Sequence, residues 1–187
     1  GGNMYSSDHP LRGEKGTLYE GGIRVPAVAR WPGVIPKNTV SSVAAVTRDL
    51  YPTILDFAGV SPTPTQPLDG ISLTGVLRDP STKLERDSLF WHLPHYHHGT
   101  PASAIRKGDW KLLEFFEDSH VELYDLSTDP GEAKDESATQ PGKAGELLRD
   151  LQAWRKEVAA RMPVPNPDYD PARADEIGSG KEKRKKK

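Results

Sequence analysis

Four strand-length segments separated by turn residues, and one amphipathic stretch after them, constrain the second half of this chain. The segments span residues 88–92, 102–107, 110–116 and 121–126, and Gly108 lies in one of the connections between them. Short runs bounded by such residues are typical of antiparallel hairpins. In residues 146–161, apolar side chains recur at helical spacing, at Leu147, Leu151, Trp154 and Val158. The pattern predicts a four-stranded antiparallel sheet with one long helix over one face.

The first half of the chain predicts a helix and a strand. Asp49 precedes the apolar positions Tyr51, Ile54, Leu55 and Ala58, which share one helix face, and Gly59 follows them. We expect Asp49 to cap this helix and Gly59 to end it in the left-handed conformation. Residues 25–30 form a short apolar run before Trp31-Pro32-Gly33. That run predicts a buried strand.

A glycine-rich stretch, residues 10–26, places Lys15 between two nearby glycines. Glycine allows positive φ and close approach of a ligand to the backbone, so a lysine held this way can offer its three N–H donors to an anion. The same pattern is typical of a surface turn with a solvated lysine, and short motifs do not separate the two. Glu20 and Arg24, four residues apart, are expected to pair structurally rather than to act as catalysts.

Four histidines lie within seven residues, at positions 92, 95, 97 and 98. Their composition suggests zinc, but their spacing in a proline-containing loop matches no closed zinc site, and we predict no metal ligand here. As a polar and aromatic loop, the segment could contact substrate or be a plain surface loop. We name His95, Tyr96 and His97 as candidate substrate contacts. We expect Arg106, Lys107 and Lys111 to be solvated or paired surface charges.

The glycine-rich stretch and four later motifs resemble the type I, formylglycine-dependent sulfatases, in their C-terminal, arylsulfatase-like portion. The stretch matches over residues 11–26 with Arg30-Trp-Pro-Gly33, and the later matches keep the order of the family. They are Asp49-Leu-Tyr-Pro-Thr53, Leu68-Asp-Gly-Ile-Ser72, Ala104-Ile-Arg-Lys-Gly-Asp-Trp-Lys-Leu112 and Glu122-Leu-Tyr-Asp-Leu-Ser-Thr-Asp-Pro-Gly-Glu132. The resemblance covers about residues 1–170. No cysteine and no Ser-x-Pro-x-Arg motif is present, so the nucleophile of the family is missing from this chain.

The resemblance implies the end of an alkaline-phosphatase-like α/β domain in residues 1–80 and an antiparallel α+β subdomain in residues 81–170. In that α/β domain, residues 25–30 would be a strand of the large sheet with Lys15 at its active-site end. The family hydrolyses sulfate esters, and Lys15 matches the lysine that binds the sulfate group. The implied substrates are sulfated carbohydrates, or aryl sulfates. The implied Ca²⁺ ligands and formylglycine lie outside this chain, which alone is expected to be inactive. A periplasmic or secreted location is implied as well.

Two other functions remain open at this point. The chain could belong to a phosphate mono- or diester hydrolase of the alkaline phosphatase superfamily, or it could be a non-catalytic glycan-binding or interaction module. The formal net charge of −2 gives no nucleic-acid or membrane signal, and no apolar run is long enough to span a bilayer. Residues 171–187 end in a strongly basic run that predicts a disordered tail.

Overall fold

The computed structural model describes residues 9–63, 65 and 67–170. These form two units, one made of residues 9–23 and 90–170 and the other of Arg24–Leu89. The division predicted at residue 80 refers to a larger catalytic domain and stays a prediction. The predicted basic tail lies outside the described residues.

The helices and strands follow one another along the chain in a simple order. They are α1 (Glu20–Ile23), a 3₁₀ helix (Thr47–Asp49), α2 (Leu50–Ala58), α3 (Thr74–Arg78), β1 (Ser88–Leu93), β2 (Ala102–Lys107), β3 (Trp110–Phe115), β4 (Val121–Asp125) and α4 (Pro141–Glu157). None of the helices in the described part of the chain is long and apolar enough to cross a bilayer.

In the Arg24–Leu89 unit, α2 begins and ends where the sequence predicts. Gly59 follows it at φ 66°, in the left-handed conformation expected of a helix end. Asp49 is the residue just before α2, as predicted, but its side chain makes no capping hydrogen bond to that helix. Its buried carboxylate instead accepts the N–H groups of Val46 at 2.8 Å and Ile71 at 3.0 Å, and it forms an ion pair with Arg86. Asp49 therefore connects residues 46, 71 and 86 of this unit instead of capping the start of α2.

The strand predicted at residues 25–30 is also wrong. The segment is irregular, and Val25 and Val28 are 73% and 96% exposed. A strand is stabilised by hydrogen bonds to a neighbouring strand, and the four-stranded sheet of the described chain does not include these residues. The apolar face of α2 is exposed in the same way, with Tyr51 and Ile54 at 47% and 65%.

The other unit contains the predicted sheet, with its strands in the order β1-β2-β3-β4. Strand β3 pairs antiparallel with both β2 and β4. In this register Lys111 of β3 lies opposite Arg106 of β2 and Tyr124 of β4. Residues directly opposite one another point to the same side of a sheet. These three side chains therefore share one face, and the prediction of a four-stranded antiparallel sheet is confirmed.

Helix α4 packs against the face of this sheet opposite to Lys111, called the first face below. The buried cluster between them contains Ile105, Leu112, Leu123, Ala144, Leu147 and Leu151. Phe90 and Trp154 stack beside this cluster with ring centroids 4.8 Å apart. The helix begins five residues earlier than predicted because Pro141 fits its first turn. It ends at Glu157, and Ala159 follows at φ 49°.

The second face of the sheet is covered as well. Its buried cluster contains Ala104, Leu113, Tyr124 and Leu126, and the partly buried Leu18 and Tyr19 pack against it. Leu18 and Tyr19 belong to the glycine-rich stretch near the start of the chain. The sheet therefore supports that stretch directly, and this support positions the candidate site.

Candidate functional site

Lys15 lies in a closed loop of residues 12–22, called the glycine loop below. The N–H of Gly21 donates to the carbonyl of Arg12 at 2.7 Å, which joins the two ends of the loop. Inside it, the N–H and the hydroxyl of Thr17 donate to the carbonyl of Glu14 at 3.0 and 2.9 Å. The Lys15 side chain is exposed at the outer turn of this loop. The backbone is therefore fixed while the ammonium group is accessible to a ligand.

Two glycines make this loop shape specific. Gly16 has φ 96°, a conformation that other residues rarely adopt. Gly22 packs so closely that a Cβ atom there would lie 2.2 Å from the carbonyl oxygen of Thr17. A side chain at either position would force the loop open.

The histidine loop, residues 94–101, connects β1 to β2 and contacts the glycine loop. A Cβ atom on Gly16 would lie 2.1 Å from Nδ1 of His97, so the imidazole rests directly on that glycine. His98 Nδ1 is 3.7 Å from a carboxylate oxygen of Glu14, and the His97 and His98 rings are 4.4 Å apart. The structure thus brings His97 onto Gly16, the residue that follows Lys15, although the two loops are about 80 residues apart in sequence.

The other two candidate substrate contacts are placed less closely. His95 and Tyr96 are exposed on the histidine loop. The hydroxyl of Tyr96 donates to Glu117, in the connection between β3 and β4, at 2.5 Å. Their predicted role in substrate binding stays a prediction, as does that of Lys15 and His97. Among residues 9–63, 65 and 67–170, no group of three or more His, Cys, Asp or Glu side chains is arranged to hold a metal ion.

Beneath the glycine loop, Arg12 joins it to the second face of the sheet. Its guanidinium lies 3.9 Å from the ring centroid of Tyr19 and donates to the hydroxyl of Tyr124 at 2.6 Å. Both tyrosine hydroxyls donate to Glu122, at 2.7 and 2.8 Å. Burial raises the pKa of both tyrosines, and these bonds to a carboxylate raise it further. The two phenols therefore stay protonated at neutral pH and act as structural donors.

A buried ion cluster lies next to Arg12. Lys111 Nζ is 3.0 Å from a carboxylate oxygen of Glu20 and 2.8 Å from one of Glu132, and all three side chains are at most 2% exposed. The N–H of Glu20 also donates to Glu132 at 2.6 Å, and Arg106 is 3.9 Å from Glu20. Burial raises the pKa of Glu132, although Lys111 and the Glu20 N–H act in the opposite direction. The predicted pairing of Glu20 with Arg24 stays a prediction.

Sequence reasoning missed this cluster. Lys111 was expected to be a surface charge, and that prediction is wrong because the glycine loop covers the face on which it lies. A signal was available, since Lys111 and the apolar Leu113 are two residues apart along β3 and therefore point to the same face of the sheet. Glu132 lies in the turn after β4 and carries no periodic signal. Lys107 is paired as expected, at 2.9 Å from Asp150.

In chemical terms, the exposed part of this surface combines an ammonium group with imidazoles on a backbone that is fixed from below. Ammonium and imidazole N–H groups donate hydrogen bonds to anionic oxygens. The arrangement can therefore bind a small oxyanion and, next to it, a hydroxyl-rich group. It lacks an evident nucleophile among the described residues.

Comparison with known proteins gives a consistent picture. Residues 13–157 match the protein family described as N-sulphoglucosamine sulphohydrolase, C-terminal. A protein from Formosa agariphila named sulfatase is 40% identical over 165 residues, which cover 80% of this chain and 30% of that protein. Human arylsulfatase A is 34% identical over 163 residues, covering 76% of this chain and 32% of the enzyme. The chain thus spans about a third of the length of these relatives.

A solved structure is similar as well. It is described as a protein in complex with its substrate D-glucosamine-2-N,6-O-disulfate. The match has a TM-score of 0.57 and 30% identity, and it covers 68% of this chain and 27% of that one.

Proposed function

Because this chain belongs to the N-sulphoglucosamine sulphohydrolase C-terminal family of the sulfatases, we propose that it forms the C-terminal part of a sulfuric ester hydrolase. In this proposal Lys15 binds the sulfate group of the substrate. The observation that carries it is the contact between the glycine loop and the histidine loop. That contact places the His97 imidazole on Gly16, the residue after Lys15, while the Lys15 side chain is exposed to solvent.

The chemistry of sulfate ester hydrolysis fits such a group. The non-bridging oxygens of the ester must be held while negative charge develops on the leaving oxygen. A lysine ammonium supplies three N–H donors and a full positive charge to those oxygens. In this role Lys15 stabilises the bound sulfate and assists departure of the alcohol.

For the substrate, we propose a sulfated carbohydrate. Support comes from the similar structure, whose described substrate is a sulfated glucosamine, and from the polar and aromatic histidine loop. His97 would contact the part of the substrate next to the sulfate group, since its ring lies on the glycine that follows Lys15. His95 and Tyr96 would contact more distant hydroxyls of the sugar.

The formylglycine nucleophile and Ca²⁺ of the proposed enzyme would be supplied by polypeptide outside this chain. The described residues do not fit a metal site, since no group of three potential ligands occurs among them. The contribution of this chain is therefore binding and orientation, and the chain alone should not turn over substrate.

The test replaces Lys15 by alanine in the full-length enzyme. We expect kcat/KM for a sulfated glucosamine to fall by about a hundredfold or more, the usual effect of removing one donor that stabilises developing charge. Lys156→Ala is the matched control, because Lys156 is an exposed lysine on α4, which covers the opposite face of the sheet. An unchanged rate in a folded Lys15→Ala variant would contradict the proposal. Faster turnover of the equivalent phosphate ester by the parent enzyme would favour the phosphatase alternative.

A further inference from the structure

The buried ion cluster under the glycine loop has no role in the reaction proposed so far. Lys111, Glu20 and Glu132 come from three separate segments, namely β3, the start of α1 and the turn after β4. Their side chains are at most 2% exposed. Replacing a buried ion pair by apolar residues is often neutral or stabilising, so such a cluster is weak evidence for a role in stability. Its location therefore needs another explanation.

The cluster holds the end of the glycine loop at two points. The Glu20 carboxylate binds Lys111 at 3.0 Å, while the Glu20 N–H donates to Glu132 at 2.6 Å. The next residue, Gly21, donates to the carbonyl of Arg12 at 2.7 Å. The side chain of Arg12 in turn donates to the carbonyl of Glu132 at 3.1 Å. The end of the loop at Glu20 is thus attached to the charged side chains of the cluster, and its start at Arg12 is attached to the main chain of Glu132.

We propose that Lys111, with Glu20 and Glu132, is a positioning residue for Lys15. The cluster does not touch the substrate. It determines where the glycine loop lies on the sheet and how the loop is oriented, and thereby the position of the Lys15 ammonium group. An apolar cluster would cover the sheet equally well, but it would not fix a loop by directed bonds to a backbone N–H and a carboxylate. This inference rests on the proposed function, since it assigns Lys15 to the sulfate group.

The test uses a pair of substitutions, because Lys111→Met alone would leave two buried carboxylates close together without their cation and would destabilise the fold. Combining Lys111→Met with Glu132→Gln removes one charge of each sign, and Glu20 keeps Arg106 nearby. In the full-length enzyme we expect this double variant to fold and to lose about 10- to 100-fold in kcat, since a misplacement of about 1 Å can cost that much.

A matched control removes a comparable ion pair on the other face of β3. Arg155 and Glu114 form a pair with side chains 10% and 12% exposed, between α4 and the sheet. Arg155→Met with Glu114→Gln should leave kcat unchanged. Hydrogen exchange of peptides covering residues 12–22, measured by mass spectrometry, should become faster in the Lys111 and Glu132 double variant only.

The decisive measurement repeats the Lys111 and Glu132 substitutions together with Lys15→Ala. If the cluster acts through Lys15, the Lys111 and Glu132 substitutions should cause no further loss of kcat/KM in the Lys15→Ala background. Equal losses with and without Lys15, or wild-type kcat and exchange in the double variant, would overturn the inference. If Lys15→Ala alone changes nothing, the proposed function fails, and exchange of the glycine loop still decides whether the cluster positions it.

Discussion

A methyl group added at Gly16 is expected to displace His97 from the glycine loop. The added Cβ atom would lie 2.1 Å from Nδ1 and 2.7 Å from Cε1 of the His97 ring. Heavy atoms in a folded protein do not approach that closely without a bond, so the ring and the methyl group cannot both keep these positions. Gly16→Ala therefore tests directly whether the two loops touch.

The expected cost has two parts. Gly16 has φ 96°, and a residue with a side chain in such a sparsely populated conformation costs about 1–3 kcal/mol. The steric part is smaller, because His97 is exposed and its ring can rotate into solvent. We expect the free energy of unfolding to fall by about 1–3 kcal/mol and the His97 ring to change its surroundings.

The assay combines urea unfolding with NMR of ¹³C-labelled histidine rings in the full-length protein. His97 resonances, assigned with a His97→Ala variant, should shift in Gly16→Ala, and kcat/KM should fall because Lys15 is the preceding residue. Gly99→Ala is the control in the histidine loop, since a Cβ atom there meets nothing within 4 Å. Unchanged His97 resonances together with unchanged stability in Gly16→Ala would refute the described contact.

Two further predictions concern stability. Asp49→Asn should lower the free energy of unfolding by about 3–5 kcal/mol, because Arg86 would stay buried without its partner. Burial opposes the charge on Asp49, but bonds from Arg86 and two backbone N–H groups lower its pKa. This stabilisation is therefore present above pH about 4 and is lost as the pH falls through that lowered pKa, so an equal urea-midpoint difference at pH 7 and pH 3 would contradict it. Leu147→Ala should lower the free energy of unfolding by about 2–5 kcal/mol in urea, because this α4 side chain is fully buried against the sheet, whereas Val158→Ala, at a half-exposed residue, should cost much less.

The sheet and its helix were accessible from sequence because their signals are local. The four strands lie within a residue of the predicted bounds at each end, and Gly108 at φ 59° lies in a predicted turn. The prediction of a strand at residues 25–30 failed for the opposite reason. A strand depends on hydrogen bonds to a partner, and the apolar pattern of one segment carries no information about whether that partner is present.

The candidate site could be predicted only in pieces. The glycines predicted a loop around Lys15, and the histidines suggested a binding loop, but nothing in the sequence placed His97 on Gly16. The charge of Lys111 indicated an exposed side chain, whereas its position two residues before Leu113, on the same face of β3, indicated a buried one. The structure resolves that conflict because the glycine loop covers the second face of the sheet.

The sequence by itself determined the type and length of the local elements, since hydrophobic periodicity and turn residues act over a few positions. Only the tertiary structure decided which face of the sheet would carry the glycine loop and which charges would be buried beneath it. That outcome depends on contacts between residues about 90 to 120 positions apart, such as Glu20 with Lys111 and Arg12 with Tyr124. Such contacts follow from packing of the whole unit, and no short stretch of sequence encodes them.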